Sequence, residues 1–151
     1  MTKSEKALVL FSKGFNCSQS VFTVFGEEFG LKEEDSLKIA CPFGGGMGRQ
    51  QLTCGAVTGA LMALGLKFGM TKSDDNAPKI LTYGKTNDFF TEFKKRNGSI
   101  CCRELLQGLN MNDPEDLKII KERNLFRINC DKYVIDAVEI VEHLISSTEL
   151  I

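Results

Sequence analysis

The sequence predicts an all-α fold, a single domain of about seven or eight helices around a central helix rich in glycine and alanine. Three observations predict this class. Apolar residues recur at helical rather than alternating spacing, β-strand signals are weak throughout, and the three prolines stand at apparent element boundaries. Because 151 residues suffice for one hydrophobic core and no repeat divides the chain, we predict one helical domain over residues 1–151.

Four helices are predicted in the N-terminal half of the chain. The second carries Phe22, Phe25 and Phe29 on one face, and Gly30 is its stop signal. Pro42 ends the third helix, and the irregular, glycine-rich loop PFGGGMGRQQ separates it from the apolar fourth helix. These helices are predicted over residues 3–13, 18–29, 33–41 and 54–68.

Four more helices are predicted in the C-terminal half. The fifth is expected to carry Ile80, Tyr83 and two phenylalanines, Phe90 and Phe93, on one side. The seventh opens at Asp113, with a proline in the first helical position. The eighth is expected to face the core with an apolar stripe formed by Val134, Val138, Val141 and Ile145. The predicted ranges are 77–95, 101–109, 113 onward, and 131–146.

Four of the six cysteines fall at predicted helix N-termini and in phase with inward-facing residues. A helix N-terminus carries unpaired N–H groups and about half a positive charge, so it stabilises a thiolate and lowers the cysteine pKa. Because the arrangement recurs in one small domain, it predicts a shared site where thiolates act as nucleophiles or metal ligands. The four residues are Cys17, Cys54, Cys102 and Cys130.

The other two cysteines fit structural roles. Cys41 shares a helix face with Leu37 and Ala40, which predicts a core cysteine. Cys101 lies about 100° around the helix from Cys102, which predicts a peripheral position. A disulfide between these two neighbours would be strained.

The segment FGGGMGR, residues 43–49, is open to two interpretations. It is either a tight turn that brings the backbone close to the next helix, or an anion cradle made of backbone N–H groups. In the second case Arg49 would stabilise a thiolate or an anionic substrate. The segment lacks the Lys-Ser/Thr ending of a P-loop.

The composition narrows the functional classes. The formal net charge is −1, from 19 basic and 20 acidic residues, so we expect neither a nucleic-acid nor a membrane partner. The single histidine, His143, falls on the polar side of the last helix, which disfavours a cysteine–histidine hydrolase. No signal peptide is evident, and we expect a cytoplasmic protein whose six cysteines indicate redox chemistry or metal binding.

Small residues form a strip along the fourth helix, where Gly55, Gly59 and Ala63 are spaced four apart. Each glycine costs about 1 kcal/mol relative to alanine, so the strip indicates close packing. We expect a neighbouring helix or loop to approach there, and the other cysteine-bearing helix starts to gather near Cys54.

A set of motifs also runs in order along the chain: GFNCSQSVF, FGGGMGR, CGAVTGALMALGLKFG, CRELL and a final cysteine. Together they resemble the C_GCAxxG_C_C family of redox-active proteins over about residues 7–145. The resemblance implies that the family's four cysteines are the four selected above. It also matches the family's glycine-bearing motif to Cys54, Gly55, Ala56 and Gly59. It implies a redox role and supplies no substrate.

Three functions are compatible with this pattern. In the first, the protein is a thiol-based oxidoreductase in which Cys54 is the reactive thiolate and Cys17 or Cys102 resolves the intermediate. In the second, these three and Cys130 hold an iron–sulfur cluster or another metal. In the third, the cysteines of a non-catalytic helical module only pack.

These functions require different partners and cofactors. We expect a redox partner or a small-molecule substrate, and either no cofactor or a thiolate-bound metal centre. Gly55, Gly59 and Arg49 are the candidate residues for binding that substrate or cofactor.

Overall fold

The computed structural model describes residues 1–149 and is all-α, as the sequence predicts. Within those residues there are eight α-helices and no β-strand, and a 3₁₀ turn, Cys41–Phe43, follows the third helix. The helices are α1 (Lys3–Ser12), α2 (Cys17–Gly26), α3 (Glu33–Ala40), α4 (Gly55–Phe68), α5 (Ala77–Asn97), α6 (Cys102–Leu105), α7 (Pro114–Glu122) and α8 (Leu125–Glu149). The end of the domain predicted over residues 1–151 lies outside the described residues.

Helix α4 lies at the centre and packs against α2, α5 and α8. Its glycines face α2 at very short range. A Cβ atom added at Gly59 would lie 2.7 Å from the carbonyl oxygen of Ser18, and one added at Gly55 would lie 3.2 Å from the Cβ of Cys17. The two helices therefore contact each other almost backbone to backbone, which explains why α4 accepts the cost of these glycines.

Two apolar clusters surround this contact. The larger is built from α1, α2, α4, α5 and α8, and it encloses Phe25, Phe89 and Phe93 without solvent exposure. The smaller joins α6, α7 and the start of α8 around Leu106 and Ile120. Because Cys130 contacts both clusters, it lies at their junction.

Several helix boundaries differ from the prediction. Helix α8 begins at Leu125, six residues earlier than predicted, after Asn124 adopts a left-handed φ of 54°. Helix α6 ends at Leu105, because the chain then turns through the left-handed residues Gln107 and Gly108. Helix α7 begins as predicted, with the Asp113 carboxylate accepting a hydrogen bond from a backbone N–H of the first turn.

The buried side of α5 also differs from the prediction. Ile80 and Tyr83 are 69% and 61% exposed, whereas Phe89 and Phe93 are buried. Phe89 and Phe93 stack one helical turn apart, with 5.7 Å between ring centroids. The stripe that faces the core therefore excludes the first two turns of α5. None of the helices within residues 1–149 combines the length and apolarity needed to cross a membrane.

The α2–α4 contact predicts that alanine substitutions at two glycines of α4 change the free energy of unfolding in opposite directions. Gly59→Ala should lower the free energy of unfolding by about 1–3 kcal/mol, because the new methyl group would collide with the backbone of α2. Gly65 is the matched control, since a Cβ there meets no atom within 4 Å. Gly65→Ala should raise stability by up to about 1 kcal/mol. Denaturant unfolding measures both changes, and equal destabilisation by the two variants would contradict the close contact.

Candidate functional site

The start of α2 places the first cysteine of the site. Asn16 caps the helix in a reciprocal pair with Gln19: each side chain accepts a hydrogen bond from the other residue's backbone N–H, at 2.9 and 3.0 Å. The Asn16 amide also donates to the carbonyl oxygen of Cys41 at 3.0 Å. Cys17, the first residue of α2, is therefore held beside the 3₁₀ turn that follows α3.

A single antiparallel β-bridge places two further cysteines. Thr53 pairs with Cys101, and on either side of that pair the N–H of Cys54 donates to Ile100 at 2.8 Å and the N–H of Cys102 donates to Leu52 at 2.6 Å. Because side chains alternate between the two faces of extended backbone, the bridge turns Cys54 and Cys102 to one face and Cys101 to the other.

Cys101 lies outside the site, as predicted. Its thiol donates to the carbonyl oxygen of Gln51 at 3.6 Å and does not border the cavity described below. All six cysteines carry free thiols, so no disulfide joins Cys101 to Cys102.

The fourth cysteine corrects the sequence prediction. Cys130 lies in the second turn of α8 rather than at a helix N-terminus, because α8 begins at Leu125. When Cys130 is ionised, its sulfur accepts a hydrogen bond from the thiol of Cys17. The contact joins the first and last cysteines of the chain, and neither helix dipole nor local spacing predicts it.

One cavity of about 610 Å³ brings these thiols together. Cys17, Cys54, Cys102 and Cys130 all border it, so the four cysteines gather at one place as the sequence led us to expect. Cys41 borders it as well. The prediction of a core position for Cys41 is wrong, since the residue is exposed at the start of the 3₁₀ turn.

The pKa values reverse the expected order of thiol acidity. Burial raises the pKa of Cys54 to about 12, although the backbone N–H groups of Ala56 and Val57 oppose the increase. Burial also raises the pKa of Cys102 to about 12. The expectation of a low pKa at these helix starts therefore fails, because the loss of hydration outweighs the helix N-terminus.

The Cys17–Cys130 hydrogen bond separates the pKa values of its two partners. The donated thiol proton stabilises the thiolate of Cys130 and lowers its pKa. The same hydrogen bond, together with burial, raises the pKa of Cys17. Cys130 is thus the cysteine whose ionisation the site favours.

Two residues of the cavity wall were missed in the sequence. Tyr133 donates its hydroxyl hydrogen to the carbonyl oxygen of Leu105 at 3.0 Å, and burial followed by the nearby cysteines raises its pKa to about 12. Arg127 lies over the ring of Phe11, 5.5 Å from its centroid. Both are three residues from Cys130 along α8, so helical spacing relates them to this cysteine. Arg127 fell outside the predicted helix, whereas Tyr133 lay within it and was not singled out.

The glycine-rich loop borders the cavity in an unusual backbone conformation. Residues 45–49 all have positive φ angles, between 55° and 71°. Three of the five are glycines, whereas Met47 and Arg49 each pay roughly 1–2 kcal/mol for the left-handed conformation. At Gly46 an added Cβ would lie 2.6 Å from the backbone of Gln51, so the glycine permits the loop to close on itself.

The candidate binding residues separate into two groups. Arg49 and Gly55 border the cavity, and Gly55 also makes room for Cys17. Gly59 does not border it and packs against α2 instead. His143 is exposed on α8, as expected.

The placement of the potential metal ligands can be compared with the hypothesis of an iron–sulfur or other metal site. Within residues 1–149, no group of three or more His, Cys, Asp or Glu side chains is placed so that it could hold a metal ion. The four thiols share a cavity without forming a ligand set, whereas two of them share a hydrogen bond.

Alkylation by iodoacetamide at increasing pH should resolve this order of acidity, because only the thiolate reacts. Cys130 should react at lower pH than Cys54 and Cys102, whose pKa values of about 12 keep them protonated. Cys17→Ala removes the hydrogen-bond donor and should shift the Cys130 profile to higher pH, while Cys101→Ala should not. Labelling is measured by peptide mass spectrometry. An unchanged Cys130 profile in Cys17→Ala would refute the hydrogen bond as the cause.

Comparison with known proteins identifies the family of this chain. A family model described as "Putative redox-active protein (C_GCAxxG_C_C)" matches residues 15–144. No curated protein and no solved structure matches the chain. The matched segment covers most of the chain, so this protein belongs to the C_GCAxxG_C_C family.

Proposed function

We propose that the protein is a thiol–disulfide oxidoreductase whose redox pair is Cys17 and Cys130. The observation that carries the proposal is that Cys17 and Cys130 both border the shared cavity, where the Cys17 thiol stabilises the thiolate of Cys130. Two thiols in contact, one acidified by the other, are what a dithiol needs in order to attack a disulfide and then release the product.

Cys130 acts as the attacking thiolate. Its sulfur forms a bond with one sulfur of a substrate disulfide while the substrate S–S bond breaks, and the first product leaves as a thiolate. That thiolate takes the proton that Cys17 gives up. The Cys17 sulfur then attacks Cys130 and displaces the second thiolate, which is protonated from solvent. The substrate gains two electrons and two protons, and the protein keeps a Cys17–Cys130 disulfide.

Cys54 has a different role in this proposal from the one expected from the sequence. Its pKa of about 12 keeps it protonated near neutral pH, so it is a poor first nucleophile. The β-bridge turns it to the same face as Cys102. We assign these two thiols to a second, less reactive pair. A reducing cytoplasm, where we place the protein, would return the first pair to its dithiol form.

The iron–sulfur or other metal-bound function uses the same four cysteines. It is the weaker candidate, since no three of the potential ligands within residues 1–149 are placed to hold a metal. The experiment below distinguishes it from the dithiol.

Protein purified without oxygen should contain six free thiols and should lose two of them reversibly under mild oxidation. Peptide mass spectrometry should identify a link between Cys17 and Cys130. Cys17→Ala and Cys130→Ala should each abolish the two-thiol oxidation, while Cys101→Ala, whose thiol lies outside the cavity, should retain it.

Two results would overturn the proposal. One is iron bound in a fixed ratio, with visible absorption that is lost in all four cysteine variants, which would establish the metal function. The other is a different pair of linked cysteines in the wild-type protein with Cys17 and Cys130 still free.

A further inference from the structure

The cavity differs in charge from the rest of the chain. Two arginines, Arg49 and Arg127, border it, and the described residues of its wall include no aspartate or glutamate. The whole chain carries 20 acidic residues and a net charge of −1. The acidic and basic side chains of the wall itself are therefore both arginines.

The two arginines are not equivalent. Arg127 already has an acidic partner, with 3.5 Å between its guanidinium and the carboxylate of Asp131, and it also covers the ring of Phe11. The guanidinium of Arg49 has no acidic partner within residues 1–149. Only its backbone is held: the N–H donates to Gly44 at 3.2 Å, and the carbonyl accepts from the Asn112 amide at 2.8 Å.

The backbone beside Arg49 is short of hydrogen-bond partners as well. Gly45 and Gly46 border the cavity, and their N–H groups donate to no protein acceptor within the described residues. Gly46 is buried, and a buried N–H group without an acceptor is rare in folded proteins. An anion in this part of the cavity would satisfy a charged guanidinium and orphan N–H groups together.

The size of the cavity limits the ligand. Its volume of about 610 Å³ lies in the range of small-molecule pockets, and Cys54 and Cys102 on its wall are only 5% and 9% exposed. Apolar residues such as Phe11, Leu106 and Phe126 form much of the remaining wall. A small molecule fits this space, whereas a folded partner would reach only its mouth.

On the basis of the proposed function, we infer that the substrate is a small disulfide carrying a carboxylate or similar negative charge, which Arg49 binds. The disulfide, R–S–S–R, takes two electrons from the Cys17–Cys130 pair and two protons, and it leaves as two R–SH molecules. The protein disulfide is the only other product. Arg49 is a binding residue here, and the sulfur chemistry stays with the cysteines.

Three disulfides that differ in charge test the inference: glutathione disulfide is anionic, bis(2-hydroxyethyl) disulfide is neutral and cystamine is cationic. For each disulfide, the rate at which the protein loses thiols is divided by the rate at which the same disulfide reacts with a free small thiol. This division corrects for the intrinsic reactivity of the disulfide. We expect the corrected rate to be highest for the anionic probe and lowest for the cationic one.

Single substitutions then test whether Arg49 causes the preference for the anionic disulfide. Arg49→Gln should slow the anionic probe by at least about tenfold more than the neutral probe, the effect of one charge-assisted hydrogen bond. Arg49→Lys keeps the charge and should retain part of the preference. Lys72→Gln, at an exposed loop residue outside the cavity, removes the same charge and should have no effect.

The outcomes distinguish a failure of the proposed function from a failure of the anion site alone. If none of the three disulfides oxidises the wild-type protein, the proposed function fails and the inference with it. If all three react at equal corrected rates, or if Lys72→Gln matches Arg49→Gln, the anion site is refuted while the dithiol function stands.

Discussion

The close contact between α2 and α4 is the constraint on which the site depends. Gly59 admits the backbone of Ser18, and Gly55 admits Cys17, so the two helices begin side by side. A side chain at either glycine would push the helices apart and separate Cys17 from the wall that carries Cys54. The same contact determines where the connecting loop must run, because that loop joins the end of the 3₁₀ turn to the start of α4.

The site also illustrates a competition between two electrostatic effects. A helix N-terminus stabilises a thiolate, but its influence falls off within one turn and burial opposes it. At Cys54 burial prevails, and the pKa rises even though two N–H groups face the sulfur. At Cys130 there is no helix start, yet one hydrogen bond from a neighbouring thiol lowers the pKa. A direct partner at hydrogen-bond distance thus matters more here than the helix dipole.

The backbone conformation of the glycine-rich loop determines where Arg49 lies. Its run of left-handed residues is costly for Met47 and Arg49, and such strain persists only where the surroundings hold it. The surroundings here are the Asn112 amide and a backbone that closes on itself at Gly46. The conformation keeps Arg49 on the wall of the cavity that the thiols share, and no acidic side chain of residues 1–149 pairs with its guanidinium. The close approach at Gly46 fits the tight-turn interpretation, whereas the anion cradle is the interpretation on which the inferred substrate depends.

Much of the architecture follows from local pattern alone. The number of helices, the start of α7 at Asp113–Pro114, the glycine strip of α4 and four of the five cavity cysteines are all readable in the sequence, because helical periodicity and capping act over a few residues. Local pattern placed the start of α8 at residue 131 and thereby hid Arg127. The contact between Cys17 and Cys130, the bridge that aligns Cys54 with Cys102, and the order of the thiol pKa values were decided only by tertiary structure. Each depends on burial or on contact between segments far apart in the chain, and no local spacing encodes such contacts.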